Sequence, residues 1–297
     1  MQIAVNILIL LDLYAMTTLQ TKEELQVFLA PFKKNNKGIG FVPTMGALHQ
    51  GHLSLVTLAL EECDLVVVSI FVNPTQFNNT EDLAKYPRNV ARDIAQLRSI
   101  SQEIIVFTPT PENIYGPNIS ARQYDFGPLG HFMEGAHRPG HFDGVATVVS
   151  LLFDAVTPNR AYFGEKDYQQ LRIVETMVAF EGRDTVIVPC TIARSSKGLA
   201  LSSRNERLND QQRNQALLLS RVLLEAREQF ASNTIESIKE HAVAAFSNAP
   251  EFDLEYFEIA DTETMVPTLN KEPNKKYRAF IAAQLNSVRL IDNLELN

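Results

Sequence analysis

Residues 41–52 read FVPTMGALHQGH, and this stretch decides the fold. An apolar strand predicted over 38–43 runs into a turn that contains glycine, and a helix predicted over 53–62 follows. Two histidines, His49 and His52, stand three residues apart where that helix begins. The first turn of a helix attracts phosphate, because its unpaired N–H groups carry a partial positive charge. The stretch therefore predicts a nucleotide-phosphate site in which both imidazoles donate hydrogen bonds to phosphate oxygens.

Two other interpretations of this stretch stay open. A strand, a turn with glycine and a helix are common in α/β proteins that bind no phosphate. Histidines three residues apart can also form half of a zinc site. No third ligand stands nearby with a clear spacing, and the two cysteines, Cys63 and Cys190, lie in apolar segments. Both cysteines are interpreted as buried apolar residues.

The composition is that of a globular protein. The chain has 297 residues, of which 45% are apolar, which is enough for two domains and a large core. The net charge of −8 argues against non-specific binding to nucleic acid. Two cysteines give no disulfide framework, so we expect a reducing, cytoplasmic environment.

The N-terminal segment is apolar but does not resemble a membrane anchor. Polar residues interrupt the apolar stretch 3–13, which is too short to span a bilayer and lacks a basic leading region. We therefore expect neither a membrane span nor a signal peptide. Residues 1–15 are predicted to be an extension that precedes a start at Met16, and a first helix is predicted over 17–30.

Strand-like and helix-like segments alternate through residues 16–190. The run 65–72 is continuously apolar and rich in β-branched residues, which is typical of a strand buried on both faces. This alternation predicts a Rossmann-like, doubly wound parallel sheet, an α/β fold that binds ligands beyond the carboxyl ends of its strands. The predicted strands are 38–43, 65–72, 104–107, 161–163 and 185–188, and the predicted helices are 53–62, 80–84, 90–99, 145–156 and 168–180.

The pattern changes near residue 190, where we place the domain boundary. Residues 191–297 contain two amphipathic helices, over 209–230 and 234–247, and a tight turn at Asn286 between two strands. We expect a smaller C-terminal α+β domain that acts as a lid. Its predicted strands are 255–260, 278–284 and 287–291.

One long segment, 109–143, is irregular and rich in glycine, proline and histidine, and only 124–126 is strand-like. Long irregular segments inside compact domains are usually functional or disordered. The charged and histidine side chains of this segment favour a lid or a substrate loop; they are Arg122, His131, Glu134, His137, Arg138 and His141.

Three further polar clusters follow predicted strands or the domain boundary. Asn73 and Gln76 suit recognition of hydroxyl and carboxylate groups, although an Asn-Pro turn needs no ligand. Gly164 allows close approach of the backbone and Lys166 offers a charge for phosphate, although a surface lysine at a capped helix start is the plainer interpretation. The third cluster supplies groups that can wrap a triphosphate, Ser202, Ser203 and Arg204.

These segments, in this order, resemble the pantothenate synthetase family, the pantoate–β-alanine ligases of the adenylyl-transferring superfamily with an HxGH motif. The resemblance implies that ATP and pantoate form pantoyl adenylate and pyrophosphate, and that β-alanine then gives pantothenate and AMP. Mg²⁺ is expected to accompany the ATP. The matching strings are PTMGALHQGH, SIFVNPTQF, YPR, EGAHRPGHFDGV, FGEKDYQQL, GLALSSRN and RLIDN.

The resemblance also implies roles for individual residues. His52 matches the family's proton donor, and His49 and Lys166 act with it on the phosphates. Asp93 is a candidate metal contact, and a homodimer is expected because the family is usually dimeric. The substrate-binding residues are Gln76, Gln170, Tyr86 and Arg138. The ATP-binding residues are Met45, Gly46, Ala47, Leu48, His49, Gln50, Gly51, His52, Gly164, Glu165, Lys166, Asp167, Ala193, Leu201, Ser202, Ser203 and Arg204.

One loop departs from the family's pattern. Acidic residues are common in the family just before the glycine that corresponds to Gly198, where this chain has Ser195 and Lys197. The change falls on a loop expected to close on ATP, and it removes no group that we assign to the chemistry.

Two other functions compete with this interpretation. A simple nucleotidyltransferase would join AMP to a phosphorylated metabolite and stop there. A non-catalytic nucleotide-binding or tRNA-binding module is disfavoured by the acidic charge and by the full set of phosphate-binding groups. The predicted partners are small-molecule substrates. Formation of an acyl adenylate needs no protein nucleophile, so we predict no covalent enzyme intermediate.

Overall fold

The computed structural model describes residues 17–78 and 80–297. The predicted N-terminal extension, 1–15, and the predicted start at Met16 lie outside the described residues. Within the two described ranges, each helix is too short or too polar to span a bilayer.

Two compact units divide the described chain. The first contains the described residues up to Tyr124 together with Asp143–Gly164 and Val174–Cys190. The second contains Asp125–Phe142, Glu165–Ile173 and Thr191–Asn297. A single boundary near residue 190 leaves two of these segments in the first domain, because a sequence pattern does not reveal a chain that passes repeatedly between two units.

A six-stranded parallel sheet forms the centre of the first unit. Its order is β1-β4-β3-β2-β5-β6, so the chain adds β3 and β4 on one side of β2, and β5 and β6 on the other. This is the predicted doubly wound α/β fold, in which ligands bind at the carboxyl ends of the strands where the direction reverses. The strands are β1 (Thr18–Leu19), β2 (Ile39–Thr44), β3 (Leu65–Ile70), β4 (Ile105–Phe107), β5 (Arg160–Gly164) and β6 (Val186–Cys190).

Neighbouring parallel strands need long connections, and helices supply most of them here. The helices of both units are numbered together. In chain order they are α1 (Lys22–Lys34), α2 (Gln50–Glu62), α3 (Thr80–Lys85), α4 (Val90–Ile100), α5 (Pro111–Tyr115), α6 (Glu134–His137), α7 (His141–Val156), α8 (Tyr168–Phe180), α9 (Asp210–Gln215), α10 (Leu217–Phe230) and α11 (Ile235–Ser247).

Strand β3 anchors the core of the first unit. All six of its residues are buried, and it pairs with β2 along its whole length. Val66 and Val68 pack in one apolar cluster with Val42 and Leu97. Each fully buried aliphatic side chain contributes about 1.5–3 kcal/mol relative to exposure. The prediction of a strand buried on both faces is confirmed.

The predicted first helix is wrong at its start. Residues 18–19 form β1, which pairs with β4 at the sheet edge, and α1 begins only at Lys22. Thr21 caps the helix, since its hydroxyl accepts a hydrogen bond from the Glu24 N–H and the Glu24 carboxylate accepts one from the Thr21 N–H, both at 3.1 Å. This capping box fixes the helix start.

Two further segments differ from their predictions. The irregular segment 109–143 includes α5, α6 and the 3₁₀ turn Gly127–Gly130, and 124–126 forms no strand. The Tyr124 N–H instead donates to the Asp143 carboxylate at 3.0 Å. The single helix predicted over 209–230 is two helices, α9 and α10, which meet at Ala216.

The second unit contains a three-stranded antiparallel sheet with α9, α10 and α11, which confirms the predicted small α+β fold. The strands are β7 (Phe252–Asp261), β8 (Tyr277–Leu285) and β9 (Val288–Glu295). Asn286 takes a positive φ of 52° in the two-residue turn that joins β8 to β9, as the sequence indicated. Helix α10 and strands β8 and β9 share one apolar cluster that includes Leu223, Ile281 and Leu290.

The first unit requires glycine at position 144. A Cβ added to Gly144 on α7 would lie 2.4 Å from the carbonyl oxygen of Thr75. We expect Gly144→Ala to lower the free energy of unfolding by about 2–3 kcal/mol, because backbone must move to admit the methyl group. Urea denaturation measures the change. Gly38→Ala is the matched control, since its Cβ would meet the Asp64 carboxylate at an ordinary 3.5 Å. Equal stability of the two variants would contradict the prediction.

Candidate active site

The turn after β2 adopts a left-handed backbone. Gly46 has a φ of 76°, and Ala47 has a φ of 48°, which is unusual for a residue with a side chain. The Thr44 hydroxyl donates to the Ser69 carbonyl oxygen at 2.7 Å and accepts from the Gly46 N–H at 3.1 Å. These bonds tie the turn to the end of β3, at the carboxyl edge of the sheet.

A buried carboxylate holds the rest of this turn. Asp93 is 1% exposed, and its two oxygens accept hydrogen bonds from the N–H groups of Ala47 at 3.0 Å and Leu48 at 2.8 Å. A Cβ on Gly46 would approach Asp93 Oδ2 to 2.9 Å. This burial and these bonds give Asp93 a structural role in support of the turn, and its contact with a metal ion stays a prediction.

The two histidines lie at the N-terminus of α2 with their rings 4.0 Å apart between centroids. His49 is the N-cap residue, and its Nδ1 accepts from the Gly51 N–H at 3.1 Å. His52 Nδ1 faces the His49 N–H at 3.4 Å. Because each Nδ1 is an acceptor, a neutral ring carries its proton on Nε2. The helix start thus presents two imidazole Nε2–H donors together with its own partial positive charge.

Gln76 belongs to the same part of the first unit. Its Nε2 donates to the Met45 sulfur at 3.2 Å, and its Oε1 accepts from Asn73 Nδ2 at 3.0 Å. Asn73 is 1% exposed and also donates to the Gly144 carbonyl oxygen at 3.1 Å. Tyr115 donates to Asn73 Oδ1, and burial raises the pKa of this tyrosine to about 12. The hydroxyl therefore stays protonated and holds the Asn73–Gln76 pair in one orientation.

Tyr86, a predicted substrate residue, is buried in the first unit. Its ring packs edge-on against Phe77 at 5.7 Å between centroids, and it is 7% exposed. This packing gives Tyr86 a structural role, and its contact with substrate stays a prediction.

A small, partly open cleft lies within the second unit. Four residues predicted from the sequence line it, Arg138, Lys166, Asp167 and Gln170. Lys166 and Asp167 belong to the 3₁₀ turn Glu165–Asp167, and Gln170 lies in the first turn of α8. The structure therefore brings together cationic and amide groups from two motifs that are far apart in the sequence.

One buried acid, Glu134, organises this cleft; the sequence placed it in the predicted lid or substrate loop but gave it no role in the site. Arg289 donates to both oxygens of Glu134, at 2.9 and 2.8 Å, and the Tyr256 hydroxyl donates at 2.7 Å. Burial alone would raise the pKa of Glu134, but the hydrogen bonds and charge of Arg289, together with Arg138 and Tyr256, lower it to about 2. Glu134 is thus ionised at neutral pH.

Arg138 lies beside this acid with Nη1 3.4 Å from Glu134 Oε2. Burial lowers the pKa of Arg138, Glu134 raises it, and the charges of Arg204 and Arg289 lower it further. Arg204 is therefore close enough to act on Arg138. Two of the predicted phosphate- and substrate-binding guanidinium groups share one region of the second unit.

The loop 193–201, which is predicted to depart from the family's pattern, is held by its own hydrogen bonds. Ala193 and Leu201 are brought together, since the Leu201 N–H donates to the Ala193 carbonyl oxygen at 2.9 Å. Ser195 bonds the opposite side of the loop, because its hydroxyl accepts from the Leu199 N–H at 3.1 Å. Lys197 Nζ donates to Asn214 Oδ1 at 2.8 Å. Ser195 thus closes the loop, and the charge of Lys197 is directed to the side chain of Asn214.

Arg194 anchors this loop to strand β9. Its guanidinium makes two hydrogen bonds to the Asp292 carboxylate, at 2.6 and 2.8 Å. The loop continues to Ser202, which caps the 3₁₀ turn Ser203–Arg207. Ser202, Ser203 and Arg204 are therefore placed by a loop with defined ends.

The doubly wound sheet, with a helix N-terminus and two imidazoles at its reversal point, defines a nucleotide-binding α/β protein. Within that class the chain belongs to the pantoate–β-alanine ligase family, whose model matches residues 17–295.

Individual relatives agree with this assignment. A pantothenate synthetase of Flavobacterium psychrophilum is 47% identical over 281 residues, which cover 95% of this chain and all of that protein. The crystal structure of pantothenate synthetase from Thermus thermophilus has a TM-score of 0.87 and 42% identity, covering 95% of this chain and 99% of that one. A Francisella tularensis pantoate–β-alanine ligase complexed with beta-gamma ATP and β-alanine has a TM-score of 0.75 and 34% identity, covering 95% and 98% of the two chains.

The low pKa of Glu134 makes the stability of the protein depend on pH. Its pKa is about 2 in the fold against 4.5 ordinarily, so its stabilising effect is present above pH 4.5 and is lost as the pH falls towards 2. Glu134→Gln should lower the free energy of unfolding at pH 6 by about 3 kcal/mol, and this deficit should shrink by about pH 3. Urea denaturation at both values tests the prediction.

Glu255→Gln is the matched control, because Glu255 binds the same Arg289 but is partly exposed. A deficit for Glu134→Gln that is the same at both pH values, or that equals the deficit of the control, would show that the Glu134 charge has no such effect.

Proposed function

We propose that the chain catalyses the ATP-dependent condensation of pantoate with β-alanine to pantothenate, through a pantoyl adenylate. The observation that carries the proposal is the family match over residues 17–295, which spans every segment described above. A relative with 34% identity was solved complexed with beta-gamma ATP and β-alanine, two of the three proposed kinds of ligand.

The reaction needs activation because a carboxylate has no good leaving group. In the first step, a carboxylate oxygen of pantoate attacks the α-phosphorus of ATP, and the bond to the bridging oxygen breaks to release pyrophosphate. In the second step, the amine of β-alanine attacks the acyl carbon, AMP leaves with the former carboxylate oxygen, and the nitrogen loses a proton. Both steps depend on positioning and on cations and N–H donors at the phosphates.

The N-terminus of α2 suits the charge that develops on the phosphates. We assign His49 and His52 as Nε2–H donors to phosphate oxygens, with His52 as the proton donor to the leaving group. The two Nδ1 contacts with backbone N–H groups support this assignment, because they leave the proton on the opposite ring nitrogen. Backbone groups of Met45, Gly46, Ala47, Leu48, Gln50 and Gly51 are assigned to ATP as well.

The second unit is proposed to supply the remaining charge. Lys166 and Arg204 are assigned to phosphate oxygens, and Lys166 is only 17% exposed in its side chain, so its charge is poorly screened. The other residues assigned to ATP there or at the end of β5 are Gly164, Glu165, Asp167, Ala193, Leu201, Ser202 and Ser203.

Amide side chains are assigned to pantoate and β-alanine. Gln76 and Gln170 can donate to the pantoate carboxylate and accept from its hydroxyl groups. Arg138 is assigned to a carboxylate or phosphate, and the neighbouring Glu134 fixes its position at 3.4 Å. Tyr86 is retained near the substrates.

We propose that Mg²⁺ enters as the ATP complex. No group of three or more His, Cys, Asp or Glu side chains within residues 17–78 and 80–297 could hold a metal ion. Phosphate oxygens and water suit Mg²⁺, which keeps much of its hydration shell. The protein's own residues are assigned to the phosphate oxygens of this complex.

We further propose a homodimer in a reducing, cytoplasmic compartment. The family resemblance supports the dimer, and two cysteines that form no disulfide, Cys63 and Cys190, suit a reducing environment. Light scattering of the purified chain measures the assembly, and a monomer mass at micromolar concentration would reject the dimer.

The assay for this function also separates it from a simple nucleotidyltransferase. The chain is incubated with ATP, Mg²⁺ and pantoate, and then with β-alanine. We expect pyrophosphate release to require pantoate, and AMP and pantothenate to form only after β-alanine is added. Pyrophosphate release without pantoate, or an adenylated product that β-alanine leaves unchanged, would favour the nucleotidyltransferase. Binding of ATP with no turnover would favour a non-catalytic module.

Substitution of two phosphate-binding residues tests their assignment. We expect His52→Ala to lower kcat by about 100- to 1,000-fold, as removal of a hydrogen-bond donor to transition-state charge does. Lys166→Ala should lower kcat/KM for ATP by about 100-fold for the same reason. Steady-state kinetics with ATP varied provides the measurement.

Two exposed residues serve as matched controls. His241→Ala and Lys37→Ala remove the same side-chain types from surface ion pairs with Glu225 and Asp64, and both should retain full activity. If His52→Ala turned over at the rate of His241→Ala, the proposed phosphate site would be wrong.

A further inference from the structure

Strand β9 carries two adjacent polar residues that are both buried. Asp292 is 3% exposed and Asn293 is 2% exposed. Side chains alternate between the two faces of a strand, so adjacent residues reach opposite sides. Buried polar groups cost stability unless they are hydrogen-bonded, so each must have a partner. Asp292 binds Arg194, as described above, and Asn293 has a different set of contacts.

The Asn293 side chain holds the backbone of the turn that carries Lys166. Its Nδ2 donates to the carbonyl oxygens of Glu165 and Lys166, both at 2.9 Å. Its Oδ1 accepts from Arg278 Nη1 at 2.6 Å. Asn293 also lines the cleft, but both N–H groups of its amide are occupied by these two carbonyl oxygens.

Arg278 holds the other end of the same turn. It is 5% exposed, and its guanidinium carbon lies 4.1 Å from the ring centroid of Tyr168, the first residue of α8. Its Nη2 lies 3.5 Å from the Glu165 carboxylate. The turn is therefore held at its carbonyl groups by Asn293 and at its exit by Arg278.

We propose that Asn293 is a positioning residue for Lys166. It acts through the turn's backbone and makes no contact with the reacting atoms. The proposal rests on the proposed function, in which Lys166 binds the phosphates of ATP. Since a displacement of about 1 Å can cost about 100-fold in rate, loss of two hydrogen bonds to the turn is enough to matter.

The test begins with Asn293→Ala. We expect kcat/KM for ATP to fall about 10- to 100-fold. KM for β-alanine should change by less than about twofold, because only Lys166, the residue assigned to phosphate, is displaced. Asn293→Asp keeps the size of the side chain and its acceptor for Arg278 but has no donor for the two carbonyl groups. It should show the same loss, and it provides the measurement if the alanine variant does not fold.

Asn297→Ala is the matched control. Asn297 follows the same strand and also binds backbone, with Nδ2 donating to the Lys275 carbonyl oxygen at 2.9 Å and Oδ1 accepting from the Tyr277 N–H at 2.8 Å. These contacts lie away from the Lys166 turn. We expect Asn297→Ala to retain full activity. Its decrease in melting temperature should be similar to that of Asn293→Ala, so the two variants would differ in activity and not in stability.

A double-mutant cycle with Lys166→Ala decides between positioning and general structural support. If Asn293 acts through Lys166, adding Asn293→Ala to Lys166→Ala should cost less than about twofold more in kcat/KM for ATP. A further loss equal to that of the single variant would overturn the proposal. Full activity of Lys166→Ala would instead reject the role of Lys166 in the proposed function.

Discussion

One buried carboxylate supports the candidate phosphate site of the first unit. The Asp93 carboxylate accepts hydrogen bonds from the N–H groups of Ala47 and Leu48. These bonds hold the backbone of the turn in a left-handed conformation that is unfavourable for most residues. The turn ends β2 and makes His49 the cap of α2. If the turn relaxed, the two imidazoles would lose their backbone contacts and their shared direction. The proposed phosphate chemistry at this end of the sheet depends on a carboxylate that is 1% exposed.

Much of the fold follows from apolar patterns in the sequence. The continuous run in β3 and the alternation of strands with helices predict a doubly wound sheet, and the structure confirms it. The predictions of the fold are wrong at places where contacts between distant segments determine the structure. Strand β1 has two residues, too few for a pattern, and exists because β4 offers a partner at the edge. The segments 125–142 and 165–173 belong to the second unit, which no local pattern indicates.

Site residues that stand in sequence motifs can be predicted from the sequence. Residues whose role is to hold another residue in place are missed. His49, Lys166 and Gln170 stand in motifs at strand ends. The sequence gives Glu134 only a place in a predicted lid or substrate loop and gives Asn293 no role, because their roles come from partners more than a hundred residues away, such as Arg289 and the Lys166 turn. Adjacent polar residues inside an apolar strand, as in RLIDN, are the signal that could have indicated Asn293.

The transfer of oxygen from pantoate to AMP tests the central claim most directly. The chain would be incubated with ATP, Mg²⁺, β-alanine and pantoate labelled with ¹⁸O in both carboxylate oxygens, and the AMP would be analysed by mass spectrometry. An acyl adenylate predicts one ¹⁸O in each AMP and one left in pantothenate. Unlabelled AMP, with the expelled ¹⁸O found instead in phosphate, pyrophosphate or water, would contradict activation of the acid at the α-phosphorus.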